Sequence, residues 1–457
     1  MRYVVEVLRR SIRACGRVTS VLDARGTDPG RGHPRSREGP PPQTINLRLS
    51  STTNLGSTIL KLTDTVIGMI FIAVVATGVA AFTLVSADLF EDSPAGRDSD
   101  LISIAPLTIQ RADHTAVLLE DGRVLVQGGG DGETISYITA EIYDPASRTW
   151  SKATNLGTAR RDHRSLVLDD GRVLVTGGVD HFGVTFTAES YNSETGEVQA
   201  ERGMRALRAI HSMSLLPDGR VLVTGGMTPS SPSGFTDLYN PASGRFEPGP
   251  DLNGARAWHT ATVLPDGRVL IVGGSGFGLV RQSVEIFDPE LEVFHVAESL
   301  EVGRFLHTAT LLADGRVVII GGQETIDVFD SVEIYDPDTG KWTAGAPMEF
   351  PRSQHTATLL RTGQILIAGG FNSLGDIDDV SIYDPRRDIW VSVGALSEGR
   401  GRHTATLLND GSVLIVGGMN DTSTNRPGTP ELAGRPQTEV DLFFLDGAPA
   451  DLLPATP

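Results

Sequence analysis

A unit of about 48 residues recurs seven times between residues 111 and 445, and this repetition constrains the fold more than any other feature. Each copy opens with Arg-x-x-His and carries a Gly-Gly pair further on. Successive copies are 49 residues apart once and 48 residues apart five times. Units of this length stack on one another, because none can bury its apolar surface alone. The repeated pairs are Arg111 and His114, Arg160 and His163, Arg208 and His211, Arg256 and His259, Arg304 and His307, Arg352 and His355, and Arg400 and His403.

Each copy is predicted to form four β-strands. In the fourth copy, two apolar runs flank Asp266-Gly267, which is a strong hairpin signal because both residues tolerate a positive φ. In the fifth, a third strand ends at Asp336-Pro337, since proline has no N–H to donate to a sheet, and a fourth strand opens with Trp342. Four strands repeated seven times predict an all-β chain, a β-propeller of seven blades.

The repeat resembles the kelch repeat in the Gly-Gly after strand two, the Tyr-Asp-Pro after strand three and the Trp of strand four. The resemblance covers about 350 of the 457 residues and implies a galactose oxidase-like central domain fold. It also implies a choice of functions, from interaction scaffolds to sugar-processing enzymes and a copper oxidase. That oxidase uses two Tyr, two His and a Tyr–Cys crosslink. The one cysteine here, Cys15, lies outside the repeats, so the resemblance implies no copper site; we predict no cofactor and no metal.

The seventh copy has three strands and then reaches Gly447-Ala448-Pro449, without a fourth strand. Leu101 stands ten residues before Arg111, where most other copies place a large side chain. We therefore predict that residues 101–107 form the outer strand of blade seven and close the ring, because an unpaired edge would invite aggregation. The predicted propeller covers residues 99–446, and residues 447–457 form a Pro/Ala-rich tail.

The segment before the propeller has the pattern of a membrane anchor. Residues 65–87 carry no charge for 23 residues, enough for a helix to span a bilayer. Residues 1–65 have a net charge of +6 and residues 88–100 a net charge of −4. The positive-inside rule then predicts a basic, largely disordered cytoplasmic segment at 1–64, a transmembrane signal-anchor helix at 65–87, an acidic linker at 88–98 and an extracytoplasmic propeller. Cleavage near Ala87, which would release a secreted protein, is the alternative.

The repeated Arg and His residues are interpreted as structural, because a group presented seven times at one depth of a ring does not mark a single site. Each histidine is expected to be hydrogen-bonded, and each arginine to pair with a neighbour's carboxylate. One acid per copy lies in strand three, except in copy six, which has Ser381. These acids are Glu141, Glu189, Asp237, Glu285, Glu333 and Asp441.

Positions where the copies differ are more informative about function. The residue before each repeat histidine is predicted to lie at the mouth of the central channel, where one arc is charged and the opposite arc is apolar. A concave site with an apolar wall and a few polar groups is the usual form of a ligand site. In blade order these ligand-face candidates are Asp113, Asp162, Ile210, Trp258, Leu306, Gln354 and Arg402. The long loop of copy seven, around residues 421–436, is a further candidate surface.

The formal net charge of −18 argues against a nucleic-acid partner. We predict no catalytic residues, and the sequence favours an interaction module that binds a protein or a glycan on the loop face. A carbohydrate-active enzyme of the sugar isomerase or mutarotase kind, working at the channel mouth, is one alternative. A purely structural surface protein is the other.

Overall fold

The second strand of every repeat is mainly apolar and almost entirely buried, and this strand lies at the centre of the architecture. The computed structural model describes residues 73–76, 79–82, 100–132, 134–420 and 435–445. The chain divides into two units, Met1–Val85 and Ser86–Pro457. The second unit contains seven antiparallel sheets of four strands each, which confirms the predicted seven-bladed all-β propeller.

The strands are numbered from the channel outwards. The innermost strands are Thr115–Leu118, Arg164–Val167, Ser212–Leu215, Thr260–Val263, Thr308–Leu311, Thr356–Leu359 and Thr404–Leu407. The second strands are Val124–Gln127, Arg172–Thr176, Val221–Thr224, Val269–Val272, Val317–Ile320, Ile365–Ala368 and Val413–Val416. The third strands are Ala140–Asp144, Ala188–Asn192, Thr236–Asn240, Val284–Asp288, Val332–Asp336, Asp379–Asp384 and Val440–Phe444. The outer strands of blades one to six are Thr149–Lys152, Val198–Glu201, Arg245–Pro248, Val293–Ala297, Lys341–Gly345 and Ile389–Ala395.

The core consists of seven apolar clusters, one between each pair of neighbouring blades. Between blades four and five, for example, Leu270 and Ile286 meet Val317 and Tyr335. A second strand is covered on both faces by adjacent blades, which is why it is a continuous apolar run rather than an alternating one. Burial of this kind stabilises the ring as one body, because no blade can cover its own faces.

Blade seven takes its outer strand from the other end of the chain. Asp100–Ser103 pairs antiparallel with Val440–Phe444, with Asp100 opposite Phe444 and Ser103 opposite Asp441. The strand is shorter than the 101–107 expected from the sequence, although backbone hydrogen bonds from the Ile104 and Leu107 N–H groups continue beside it. An outer strand runs from the bottom face towards the mouth, so the chain joins the propeller at Asp100 on the bottom face.

The two faces of the propeller differ in their loops. The Asp-Gly turns and the turns between strands three and four lie on the bottom face, whereas the loops between strands two and three lie on the mouth face. Most of those mouth-face loops contain a small hairpin of two-residue strands. The hairpins are Val179–Asp180 with Gly183–Val184, Ser275–Gly276 with Leu279–Val280, Gln323–Glu324 with Asp327–Val328, Phe371–Asn372 with Gly375–Asp376, and Met419–Asn420 with Arg435–Pro436.

In the first unit, the secondary structure differs from the transmembrane helix that the sequence predicts at 65–87. The described residues of that stretch are two strands, Ala73–Ala76 and Val79–Phe82, paired antiparallel with Ala73 opposite Phe82. The β-branched valines of this stretch are compatible with extended backbone, which is a physical reason for the difference. Among the described residues, no helix has the length and apolar character to span a bilayer. The predictions for residues 1–64, 88–98 and 447–457, and for residues 421–434 of the candidate loop, lie outside the described residues.

Candidate functional site

The seven residues that precede the repeat histidines form a ring around the channel mouth. Each has a left-handed backbone, with φ between 55° and 57°. This conformation is uncommon for residues other than glycine and is an outlier for a β-branched residue such as Ile210. Because all seven copies adopt it, the conformation belongs to the repeat, and only the side chains distinguish one position from another.

Backbone hydrogen bonds link the mouth ring from blade to blade. In blades two to seven, the N–H of the ring residue donates to the carbonyl oxygen of the ring residue in the preceding blade, at 2.9–3.4 Å. The first of these bonds joins Asp162 to Asp113, and the last joins Arg402 to Gln354. The bonds compensate for the unfavourable φ values, so the ring is a rigid frame that presents seven different side chains.

A cavity of about 660 Å³ opens at the mouth, and all seven ring side chains line it. Its deeper wall consists of repeat histidines and of residues from the innermost strands, such as Ser165 and Thr260. The structure therefore brings together every ligand-face candidate from the sequence, in blade order, around one concave space. The volume is in the range of ordinary small-ligand pockets.

The charged arc lies where blades seven, one and two meet. Arg402 Nη1 is 3.4 Å from Asp113 Oδ2, and Arg402 Nε donates to Gln354 Oε1 at 2.6 Å. On the other side, Arg161 Nε lies 3.8 Å from Asp162 Oδ2. The charged arc thus contains side chains of opposite charge that hold one another in position. Arg402, Asp113 and Asp162 also line the cavity.

The two carboxyl groups of this arc have abnormal proton affinities. Burial and the nearby Asp113 carboxylate together raise the pKa of Asp162 to about 7, against the opposing effect of the arginines Arg402, Arg164 and Arg161. Burial also raises the pKa of Asp113, which Arg402 opposes. Because two nearby carboxyls in a poorly solvated place resist double ionisation, the pair retains a proton to a higher pH than isolated aspartates do.

The apolar arc lies opposite, on blades three to five. The rings of Trp258 and Phe305 have centroids 6.0 Å apart, and Ile210, Leu306 and Met213 line the same wall. Phe305 and Met213 were not among the sequence candidates. An aromatic wall facing a charged wall can hold an amphipathic group in one orientation.

Arg164 is the functional candidate that the sequence analysis missed. It begins the innermost strand of blade two, and its guanidinium lines the cavity, where Nη1 donates to the His163 carbonyl at 3.0 Å. Burial lowers the pKa of this arginine, opposed by the Asp162 and Asp113 carboxylates. A signal was present in the sequence, since the residue after the repeat histidine is Thr in five copies and Ser212 in another, but Arg164 in the second.

Comparison with known proteins agrees with this geometry. A family model described as the "KLHDC2/KLHL20/DRC7 Kelch-repeats domain" matches residues 242–418, which span most of blades four to seven and the end of blade three. Residues 242–418 of this β-propeller are kelch repeats.

A solved structure that the kelch propeller resembles is a fungal alcohol oxidase of the AA5 family in complex with copper. The TM-score is 0.60 at 16% sequence identity, and the match covers 75% of each chain. At this identity the likeness shows the fold alone. No curated protein matches the chain.

The kelch propeller does not reproduce a copper centre at its mouth. Across the part of the chain that the structure describes, no three His, Cys, Asp or Glu side chains are grouped so as to hold a metal ion. Each histidine that lines the cavity has Nε2 within hydrogen-bond distance of a threonine hydroxyl, whereas its buried Nδ1 has no hydrogen-bond partner among the described residues. The ring itself offers carboxylates, an arginine, an amide and apolar groups. These residues suit binding, and acid–base chemistry at the two carboxyls.

The repeat arginines of the kelch propeller are buried and ion-paired, at 2.5–2.9 Å. The acid belongs to strand three of the arginine's own blade, not to a neighbouring blade. Blade six uses Asp379, two residues before Ser381, where the pairing register with the outer strand shifts. The pairs are Arg111–Glu141, Arg160–Glu189, Arg208–Asp237, Arg256–Glu285, Arg304–Glu333, Arg352–Asp379 and Arg400–Asp441.

The repeat histidines join each blade to the one before it. Nε2 of each lies 2.7–3.1 Å from a threonine hydroxyl of the preceding blade. Two of them use a second-strand threonine, Thr176 for His211 and Thr224 for His259, because the preceding innermost strand begins with Arg164 or Ser212 instead of Thr. Burial lowers the pKa of all seven, to about 3 for His307, so these rings are neutral.

The Gly-Gly pairs make room for these histidines. A Cβ on Gly225 would lie 2.4 Å from the Arg256 carbonyl oxygen and 2.8 Å from His259 Cε1, and the φ of Gly225 is 59°. No other residue type fits both the space and the backbone. The Arg, His and Gly-Gly of the repeat therefore form one buried joint, which supports the mouth ring from below.

Proposed function

We propose that this protein is an interaction module that binds a segment of a partner protein at the channel mouth. Kelch propellers generally bind proteins, and the fold indicates that class of function. The observation that carries the proposal is the division of one cavity into a charged arc and an apolar arc, on a frame that is otherwise sevenfold.

The chemistry of the two arcs fits an amphipathic segment. The Trp258 ring offers a flat apolar surface for one side chain, and Arg402, Asp113 and Asp162 offer donors and acceptors to the polar groups beside it. Central aromatic anchors of this kind carry a large share of the binding free energy in protein interfaces.

A second part of the proposal is that residues 65–87 anchor the propeller in the cell membrane, with the N-terminus cytoplasmic. The uncharged stretch and its asymmetric flanking charges support it. Protease added to intact cells or spheroplasts should digest the propeller and spare residues 1–60; a protected propeller would refute this orientation.

Binding at the mouth is tested by applying the purified full chain to peptide and glycan arrays in parallel. Trp258→Ala should weaken binding to the peptides that the native chain selects by about 30-fold or more, the effect of losing a central aromatic anchor. Asp266→Asn, in an exposed bottom-face turn, is the matched control and should leave binding unchanged. Equal binding by both variants contradicts the proposal, and selection of glycans in place of peptides transfers it to a glycan ligand.

The acid pair specifically favours a second candidate, an enzyme acting on sugars by acid–base catalysis. A carboxyl with a pKa of about 7 beside another carboxyl is the kind of group that accepts and returns a proton near neutral pH. To interconvert sugar anomers, an acid gives a proton to the ring oxygen as its bond to C1 breaks, and a base takes the proton of the C1 hydroxyl; the reverse transfers close the ring, and no oxidant or reductant is consumed. Turnover of reducing sugars, followed by NMR and abolished by Asp162→Asn, would establish this activity in place of simple binding.

A further inference from the structure

A second cavity opens on the mouth face, beside the one already described. It has a volume of about 480 Å³ and lies between the small hairpins of blades five and six. We call it the five–six groove. It shares only Gln354 and Arg402 with the channel cavity, and its other lining residues come from the hairpins, from Ser353 and from Met419 of blade seven. Neither the repeat nor the mouth ring accounts for it.

The walls and floor of the five–six groove are mainly apolar. Ile326, Val328, Phe371 and Met419 supply the apolar surface. The Phe371 ring lies over Gly401, where a Cβ would come within 2.3 Å of the ring, so the glycine allows this aromatic to form the floor. A hydrogen bond of 2.8 Å from Ser353 Oγ to Gln323 Oε1 fixes one side of the floor.

The rims of the groove expose large apolar side chains at turns, where polar residues are the rule. Ile326 at the tip of the blade-five hairpin is 82% exposed, and Leu374 at the tip of the blade-six hairpin is 86% exposed. Neither contributes to the core; Ile326 lines the groove, and Leu374 directly follows the lining residue Ser373. Apolar surface arranged around a concave space is a mark of a binding site.

Arg402 is the one charged residue among the described residues that line the groove, and it is paired with Asp113 at 3.4 Å; the hairpin loops beside the groove carry charge of the opposite sign. The two hairpin loops, residues 323–330 and 371–378, contain five acidic residues and no Lys or Arg. Glu324 and Asp327 are both exposed and lie directly opposite each other in the blade-five hairpin. Like charges in that position destabilise a hairpin, so the folded propeller alone does not benefit from them. The acids are Glu324, Asp327, Asp330, Asp376 and Asp378.

We propose that the five–six groove is a second docking site, which receives an extended segment of a partner protein with one apolar side chain between Lys or Arg residues. The apolar side chain enters between Ile326 and Phe371, and the flanking cations lie against the acidic rims. The site goes beyond the proposed mouth function, because its pocket is separate. The charge complementarity selects a basic segment and disfavours an anionic lipid surface, which the same acids would repel.

The test is a peptide array of random nonamers, probed with labelled full chain. Peptides that bind should be enriched in a central Leu, Ile, Phe or Met flanked by Lys or Arg, and raised salt should weaken their binding. Ile326→Ser, and separately Glu324→Gln with Asp327→Asn, should each reduce binding to these peptides at least about fivefold. These side chains are exposed, so the substitutions leave the fold intact.

Matched controls separate the groove from the rest of the surface. Phe182→Ser removes an exposed apolar tip on blade two, and Glu290→Gln with Asp338→Asn removes two exposed bottom-face charges; neither should change the enrichment. The enrichment should also persist in Trp258→Ala, so that failure of the mouth proposal and failure of this one are distinguishable. No enrichment, enrichment in acidic peptides, enrichment that survives the groove variants, or groove-dependent sedimentation with anionic vesicles would overturn the proposal.

Discussion

In every blade the buried arginine of the repeat and the mouth residue are two positions apart, as Arg256 and Trp258 are in blade four. The first position is arginine seven times, always buried and always paired with an acid of its own blade. The second is Asp, Asp, Ile, Trp, Leu, Gln and Arg around the ring. The comparison teaches that the buried joint is under the same physical demand in every blade. In the mouth ring, only the backbone conformation is the same in every blade. The side chains differ, so they are available for a ligand.

Acid should break the buried joint first. All seven repeat histidines are fully buried and neutral, with a pKa lowered by burial, whereas an unfolded histidine takes up a proton below about pH 6.5. The unfolded chain therefore binds up to seven more protons, and the free energy of unfolding should fall by up to about 10 kcal/mol per pH unit as the pH drops from 6 towards 3. Urea unfolding between pH 7 and pH 4 measures this slope. A slope corresponding to one or two protons would contradict a neutral histidine ring.

Removal of one buried arginine should be nearly as damaging. Arg256→Met leaves the Glu285 carboxylate buried without its arginine partner, which should reduce the free energy of unfolding by about 3–5 kcal/mol. Arg352→Met should be milder, because its partner Asp379 is 14% exposed and keeps hydrogen bonds from Ser381 and Ser392. Denaturant unfolding of both variants checks the order. The contrast variant is Arg402→Met in the mouth ring, which should change stability by less than about 1 kcal/mol.

The acid pair of the mouth should respond to pH in the opposite direction from the histidines. A folded-state pKa of about 7 for Asp162 lies above the value of an unfolded aspartate, so the native state holds the extra proton between about pH 4 and pH 7. This site therefore contributes a loss of stability as the pH rises through that range. Asp162→Asn should remove that contribution. The free energy of unfolding of the native protein minus that of the variant should therefore fall between pH 5 and pH 8. A flat difference would place Asp162 in ordinary solvent.

The smallest expected effect concerns the strained backbone of the ring. Ile210 is a β-branched residue at φ 56°, a conformation that Asn adopts more readily. Ile210→Asn should therefore stabilise the propeller by up to about 1 kcal/mol while weakening binding at the apolar arc. Ile210→Ala, which keeps the strain and removes the apolar contact, serves as the control. If both variants unfold at the same temperature, the ring residues carry no backbone strain.

The buried joint could be predicted from the sequence because the repetition averages over seven examples. The exception shows the limit of that reasoning. Ser381 occupies the place of the acid in blade six, and Asp379 supplies the charge two residues earlier because the strand register shifts beside it. A register shift depends on pairing with the outer strand, which no pattern within strand three reveals.

The mouth could be predicted only in outline. The order of ring residues follows from blade order, so the two arcs were accessible from the sequence. Arg164 was not assigned, because whether a residue that starts a strand faces the channel depends on the twist of the blade. The five–six groove depends on the space between two hairpins and on a ring lying over Gly401. Such shapes arise from tertiary packing, so local sequence patterns do not report them.

The pairing of Asp100–Ser103 with Val440–Phe444 also determines the order of events during synthesis. The strand that closes the ring is the first part of the propeller to leave the ribosome, and its partner is the last, about 340 residues later. Neighbouring blades can stack as they emerge, because their contacts are close in sequence, whereas closure requires the longest loop in the domain. We expect a nascent chain to remain an open arc of blades, with one unpaired edge at each end, until residues 440–444 are complete.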